Sequence, residues 1–204
     1  MTTATRQRKT TAEKFYLWAN RPENERARWE LAEGQVIEMP SPGEAHALVC
    51  WFVAQILTDY LRAHGRGHLL TIDCGLIVAR NPDTVRGPGI MLSLDNLTLE
   101  EAKPGHTDRI PTLVVEVFSP TDRPGNMARR VEQFQRRGVP LVWVIYPEER
   151  TVNVFCQDEL PRVLDEADEL SGNGVLPGFS CQVADLFALP TKKPARRPRK
   201  GTRE

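Results

Sequence analysis

The stretch TLVVEVFSPTDRPGNMARRVEQFQRRGVPLVWVIY, residues 112–146, decides the fold. It opens on an apolar run from Thr112 to Phe118 that a single acid, Glu116, interrupts, and it closes on a fully apolar run from Leu141 to Tyr146. Between them residues 126–137 read as a helix that stops at Gly138, a residue suited to the left-handed turn that ends helices. Strand, helix and strand in this order make a βαβ unit, and two strands this apolar need cover on both faces.

Working outward, residues 44–63 carry Ala45, Leu48, Val49, Phe52, Val53, Ile56, Leu57, Tyr60 and Leu61 on one broad helical face, with Gly65 placed to end the helix. Such a helix packs flat on a sheet; Trp51 and Phe52 are read as packing residues within it. Residues 28–31 and 35–39 flank Ala32-Glu33-Gly34 and predict a hairpin. Before it, Thr10 and Glu13 have capping-box spacing for a short helix through Trp18. Short extended runs follow at 69–72, 76–79 and 90–94, then an irregular connection over 96–108. Residues 151–156 and 161–164 predict a closing antiparallel pair, and 175–187 a loop with a short terminal turn. The expectation is one α/β domain over residues 12–188, with a mixed central sheet flanked by helices. A flexible N-terminus (1–11) precedes it and a basic disordered tail (189–204) follows it.

The formal net charge of the 204 residues is zero, but it is unevenly spread. Residues 191–204 hold seven basic side chains and one acid, so the tail carries +6 and the body −6. An acidic body does not advertise general nucleic-acid binding. The tail suits phosphates without sequence preference and has no aromatics to stack bases. No apolar run is long enough to span a membrane. The start, residues 1–11, is polar and basic with no apolar block behind it, unlike a secretory leader. Cys50, Cys74, Cys156 and Cys181 are scattered, with no CxxC pair. They read as reduced, mostly buried thiols of a cytoplasmic protein.

Glu116 is the most informative residue. A carboxylate among Val114, Val115, Val117 and Phe118 is costly to bury alone. Two readings stand: it faces a metal or another cation at the sheet's end, or it is a structural acid paired with an arginine such as Arg130.

Four stretches carry a resemblance: WELAEGQVIEMPSPGEAH (29–46), PTLVVEVFSP (111–120), MARRVEQFQRRGVPLVWVIYP (127–147) and VLPGFSCQVADLF (175–187). In this order and spacing they resemble the Uma-two family of putative restriction endonucleases, in the PD-(D/E)XK nuclease superfamily. The resemblance implies a restriction-endonuclease-like core, DNA as substrate and Mg²⁺- or Mn²⁺-dependent phosphodiester hydrolysis. It also implies a homodimer. Such chemistry sets hard carboxylates around a cation that polarises the phosphate and acidifies its bound water, with a lysine to steady the charge.

The chain departs from that pattern. Gly89, in Arg86-Gly87-Pro88-Gly89, stands where the metal-binding aspartate belongs, while the glutamate is kept as Glu116. Arg130 stands for the lysine, Asn126 for the aspartate four residues before it, Phe134 for a tyrosine and Tyr146 for an aspartate. Arginine keeps the charge and can clamp a phosphate, but it cannot shed a proton near neutral pH. Asp83 and Asp95 lie six residues either side of Gly89, about 20 Å along a strand, too far to replace the ligand. Glu30, Glu33 and Glu44 are candidates to lend a carboxylate from the N-terminal part.

His46 reads either as a cleft residue, as the resemblance implies, or as a polar group near a helix start. His64 and His68 are separated by helix-breaking glycines and do not make a metal pair. Ser119 reads as a turn residue rather than a nucleophile. The expectation is an impaired or inactive DNA endonuclease, with Glu116 as remaining metal ligand, Arg130 as charge stabiliser and His46 in the cleft. The alternative is a non-catalytic DNA- or protein-binding pseudo-nuclease on the same scaffold.

Overall fold

The computed structural model describes residues 9–72, 74–119 and 123–188. Residues 1–8 of the expected flexible N-terminus, and the expected basic tail, lie outside them. The elements in order are α1 (Ala12–Ala19), β1 (Arg28–Ala32), β2 (Gln35–Met39), α2 (Glu44–His64), β3 (His68–Thr71), β4 (Leu76–Ala79), β5 (Thr84–Arg86) and β6 (Ile90–Ser93). Then come β7 (Leu113–Val117), α3 (Pro124–Arg137), β8 (Leu141–Tyr146), β9 (Thr151–Cys156), β10 (Arg162–Leu164), β11 (Glu169–Ser171), β12 (Ser180–Gln182) and a 3₁₀ turn over Val183–Phe187.

The central sheet runs β10-β9-β8-β7-β6-β3. Only β7 and β8 pair in parallel, Leu113 opposite Leu141 through Val117 opposite Ile145, and α3 is their crossover. The sheet is therefore mixed, as expected. Alternation along the strands sends Ile90, Leu92, Val115 and Trp143 to one face, where Val49, Val53 and Leu57 of α2 cover them. Met91, Val114, Val142 and Val144 point the other way, onto Met127, Val131 and Phe134 of α3. Both helices end at a left-handed glycine, Gly65 (φ 75°) and Gly138 (φ 98°), where a side chain would be strained.

The β1–β2 hairpin does not join this sheet. It belongs to a second, four-stranded sheet, β2-β1-β5-β4, packed on α1 through Phe15, Leu31, Ile77 and Val85. Three further points differ from the sequence reading. The N-cap of α1 is Thr11, whose hydroxyl accepts from Lys14 N, one residue later than the capping-box spacing suggests. Trp51 is 45% exposed, because it sits one position round from buried Phe52 and off the sheet-facing stripe. Only Cys156 of the four free cysteines is buried, the rest being half-buried. No helix among the described residues is long and apolar enough to cross a membrane.

Candidate functional site

A cleft of about 190 Å³ opens between the two sheets, where β1, the end of β5, the end of β7 and the start of α3 converge. Each element brings a charged side chain inward. Glu30 is the middle residue of β1, opposite Ile37 of β2, and is 4% exposed. Arg86 ends β5. Glu116 shares its face of β7 with Val114, so the strand period aims it at the α3 layer; it is 5% exposed. On α3 the buried positions are Met127, Arg130, Val131 and Phe134, which puts Arg130 on the helix face that meets the sheet.

Arg130 is the hub. Its Nε donates to Glu116 Oε1 at 2.9 Å and its Nη2 to the same oxygen at 2.7 Å. Nη1 donates to both oxygens of Glu30, at 2.6 and 2.7 Å. Nη2 also donates to the Gly87 carbonyl at 3.3 Å. All three guanidinium nitrogens are thus engaged, across five contacts. Arg86 adds a bond from Nη1 to Glu30 Oε2 at 2.8 Å and one from Nε to Gln133 Oε1 at 2.8 Å, and Gly87 N donates to Glu30 Oε1 at 2.8 Å.

Two carboxylates and two guanidiniums thus balance in a site nearly closed to water. Burial pushes the Glu30 carboxyl up, but Arg130 and Arg86 outweigh it and hold the group below its ordinary value. Burial alone pulls the Arg130 guanidinium down; the charges of Glu116 and Glu30 reverse that and hold it above its ordinary value. The pairs survive burial because each oxygen of Glu30 has more than one donor and every nitrogen of Arg130 is engaged.

The structure brings together the three site residues named from sequence. Glu116, Arg130 and His46 all line this cleft, and so does Gly89. Continuing the β6–β7 register one step past Ile90 and Val115 sets Gly89 level with Glu116. A Cβ added there would lie 3.2 Å from Cys50 Sγ and 3.5 Å from the Val115 carbonyl oxygen, so a side chain fits if the thiol yields slightly. Of the candidate carboxylates, Glu30 alone enters; Glu33 sits at the hairpin turn and Glu44 is exposed at the start of α2. Asp83 instead accepts from Ala12 N and Arg80, capping α1, and Asp95 pairs with Arg109 at the surface. Sequence reading missed Arg28 and Arg129 at the cleft wall, and assigned Ser119 to a turn although it lines the cleft too. Arg129 is exposed, the neighbour of Arg130 on the solvent side of α3. Helical spacing sets residues 129 and 130 on adjoining faces; nothing local marks Arg28.

A hard divalent ion needs carboxylate oxygens turned toward it. Here Glu116 Oε1 receives two guanidinium N–H groups and both Glu30 oxygens are taken. Gly89 contributes no oxygen from a side chain. Among the described residues no group of three His, Cys, Asp or Glu side chains is arranged to hold a metal. The donor set as it stands does not fit a catalytic Mg²⁺.

The fold is similar to that of a crystal structure of a putative nuclease belonging to DUF820 from Anabaena variabilis. The TM-score is 0.69 at 17% identity, over 87% of this chain and 97% of that one. At that identity the likeness speaks for the fold. No curated protein matches. The family model described as putative restriction endonuclease, Uma2, matches residues 12–184, spanning both sheets and every cleft residue named above. With most of its length under that match, and with a nuclease-type mixed sheet carrying the cleft, this chain belongs to the Uma2 family of putative restriction endonucleases.

Proposed function

We propose that this protein is a nuclease-fold DNA-binding protein in which phosphodiester cleavage is impaired or lost. One observation carries the reading: all three nitrogens of the Arg130 guanidinium are committed to Glu116, Glu30 and Gly87. The carboxylates a metal would need are neutralised by arginine, and the Arg130 guanidinium is turned onto them rather than toward a phosphate. Charge stabilisation of a reacting phosphate falls instead to the other basic groups of the wall, Arg28 and exposed Arg129. The lining counts four arginines against two glutamates, a positive mouth in an otherwise acidic body, which suits a phosphate backbone. His46 is a wall residue of the same cleft. Pairing into a homodimer belongs to the same proposal; the exposure of Val36 and Ile37 on β2 and of Leu48 and Trp51 on α2 supports it.

The test is a supercoiled plasmid incubated with the protein in Mg²⁺, Mn²⁺ or EDTA. Equal, background nicking in all three is expected, with retained, salt-sensitive DNA binding that Arg129→Ala weakens. Metal-dependent cutting that Glu116→Gln abolishes would overturn the reading.

A further inference from the structure

We propose that Ile72 is a wedge that enters duplex DNA beside the cleft and unstacks one base step, so that the protein selects DNA that kinks easily. The inference rests on the reading of the protein as DNA-binding and deepens it by naming the form of DNA preferred.

Ile72 follows the last residue of β3 and is out of place there twice over. Its side chain is 91% exposed, although isoleucine is among the residues most often buried. Its backbone is left-handed, at φ 60°. That region crowds any Cβ, and a β-branched side chain suffers most. The other non-glycine residues with positive φ among the described ones are Glu33, Asn81, Arg150, Asp158 and Asn173, none of them β-branched. A glycine or asparagine would make the same turn with less strain. At such exposure, burial of the side chain does little to offset that strain. Strain that the packing does not use points to a function.

Position says which function. Leu70, Met91 and Val114 face the α3 layer from β3, β6 and β7. Thr71 pairs with Ile90, so one further step sets Ile72 level with Gly89, as Gly89 is level with Glu116. Gly89 and Glu116 line the cleft. Their row therefore runs outward to Ile72, at the edge strand of the sheet. Two strand spacings put it about 10 Å from Glu116. A duplex resting its phosphates on Arg28 and exposed Arg129 of the cleft wall reaches that edge, since the grooves alone are about 6–12 Å wide.

A lone wedge suits this place better than a protein contact does. The register neighbours Thr71 and Gly89 bring no large apolar side chain, so Ile72 is not extended into a patch of the size that marks protein interfaces. Inserted between base pairs, the isoleucine buries its apolar surface, kinks the duplex and brings more of the backbone against the arginines. Unstacking is easiest where pairing is already weak, so a mismatch or a flexible step is favoured.

The experiment compares wild type with Ile72→Gly and Ile72→Leu. Glycine removes the wedge and relieves the backbone; leucine keeps an apolar wedge without the branched Cβ. Each protein is titrated onto two short duplexes, one fully paired and one with a central mismatch, both carrying 2-aminopurine beside the centre to report unstacking. Wild type should raise the fluorescence and bind the mismatched duplex about tenfold more tightly. Ile72→Gly should leave the fluorescence flat and bind both duplexes alike, with the salt dependence of wild type. It should also keep the wild-type Tm, because relief of strain offsets the looser unfolded chain. Ile72→Leu should unstack as wild type does. Wild type that binds DNA without unstacking it overturns the inference, as does an Ile72→Gly protein that unstacks equally well or loses stability. So does an Ile72→Gly protein with unchanged DNA binding that sediments as a monomer where wild type is a dimer, since Ile72 is then a protein contact. Wild type that binds neither duplex defeats the DNA-binding reading itself, a separate failure.

Discussion

Arg130 carries two burdens at once, joining Glu116 of the central sheet to Glu30 of the second. Removing it takes the shared guanidinium from both buried carboxylates, and breaking a buried pair this way costs about 3–5 kcal/mol. Arg130→Ala should therefore lower Tm by on the order of 10 °C in metal-free buffer. Arg130→Lys keeps the charge but has a point ammonium where all three nitrogens of a planar fork are engaged. It should fall between the two, and a thermal melt of all three proteins checks the order. An Arg130→Lys protein as stable as wild type would mean that charge alone, not the fork, holds the site.

Elements differ in how plainly the sequence announces them. Residues 141–146 and 151–156 are legible to the residue because apolar runs and turn signals bound them. The helices α2 and α3 are legible because a long stripe and a terminal glycine coincide. By contrast β5 is three residues, Thr84–Arg86, held by pairing with β4 and β1, and no local pattern of that length is distinctive. The paired strands β11 and β12 are equally short. At the site, Glu116 stood out as an acid among valines, while Glu30 was one of three N-terminal candidates that nothing local could separate, since its partner Arg130 lies 100 residues away. Helix α1 shows a dependence of the same distant kind. His106 stacks on Phe15 at 5.2 Å and meets Tyr16 edge-on at 5.4 Å. Gly75 makes room for it, since a Cβ there would come within 2.2 Å of His106 Nδ1. Gly75→Ala must push the ring out of that wedge, an overpacking cost of about 1–3 kcal/mol. The check is a urea melt, with a lower midpoint at unchanged slope expected.

At the scale of the molecule, two sheets of different topology share one cleft, and both charges and apolar side chains join them, Leu76 and Val78 of β4 packing in one core with Met127 and Val131 of α3. The central sheet packs against α2 and α3, with β4 of the second sheet sharing the α3 layer, and the second sheet has a smaller core of its own against α1. Glu30 is the carboxylate by which the smaller body grips the larger. Its titration consequently reads out as cohesion between the two. Its carboxyl is depressed in the fold, so its stabilising share is full above the unfolded value, about 4.3, and drains away as pH falls through the depressed one. Acid should thus loosen β1 and β2 ahead of β7 and β8. Amide exchange measured from neutral pH downward should show the hairpin losing protection first, and Glu30→Gln should erase the pH dependence of that gap. In effect, acidity would weaken one tie between the two lobes and leave the packing of β4 beneath α3 to hold them, so that proton concentration tunes how firmly they keep together.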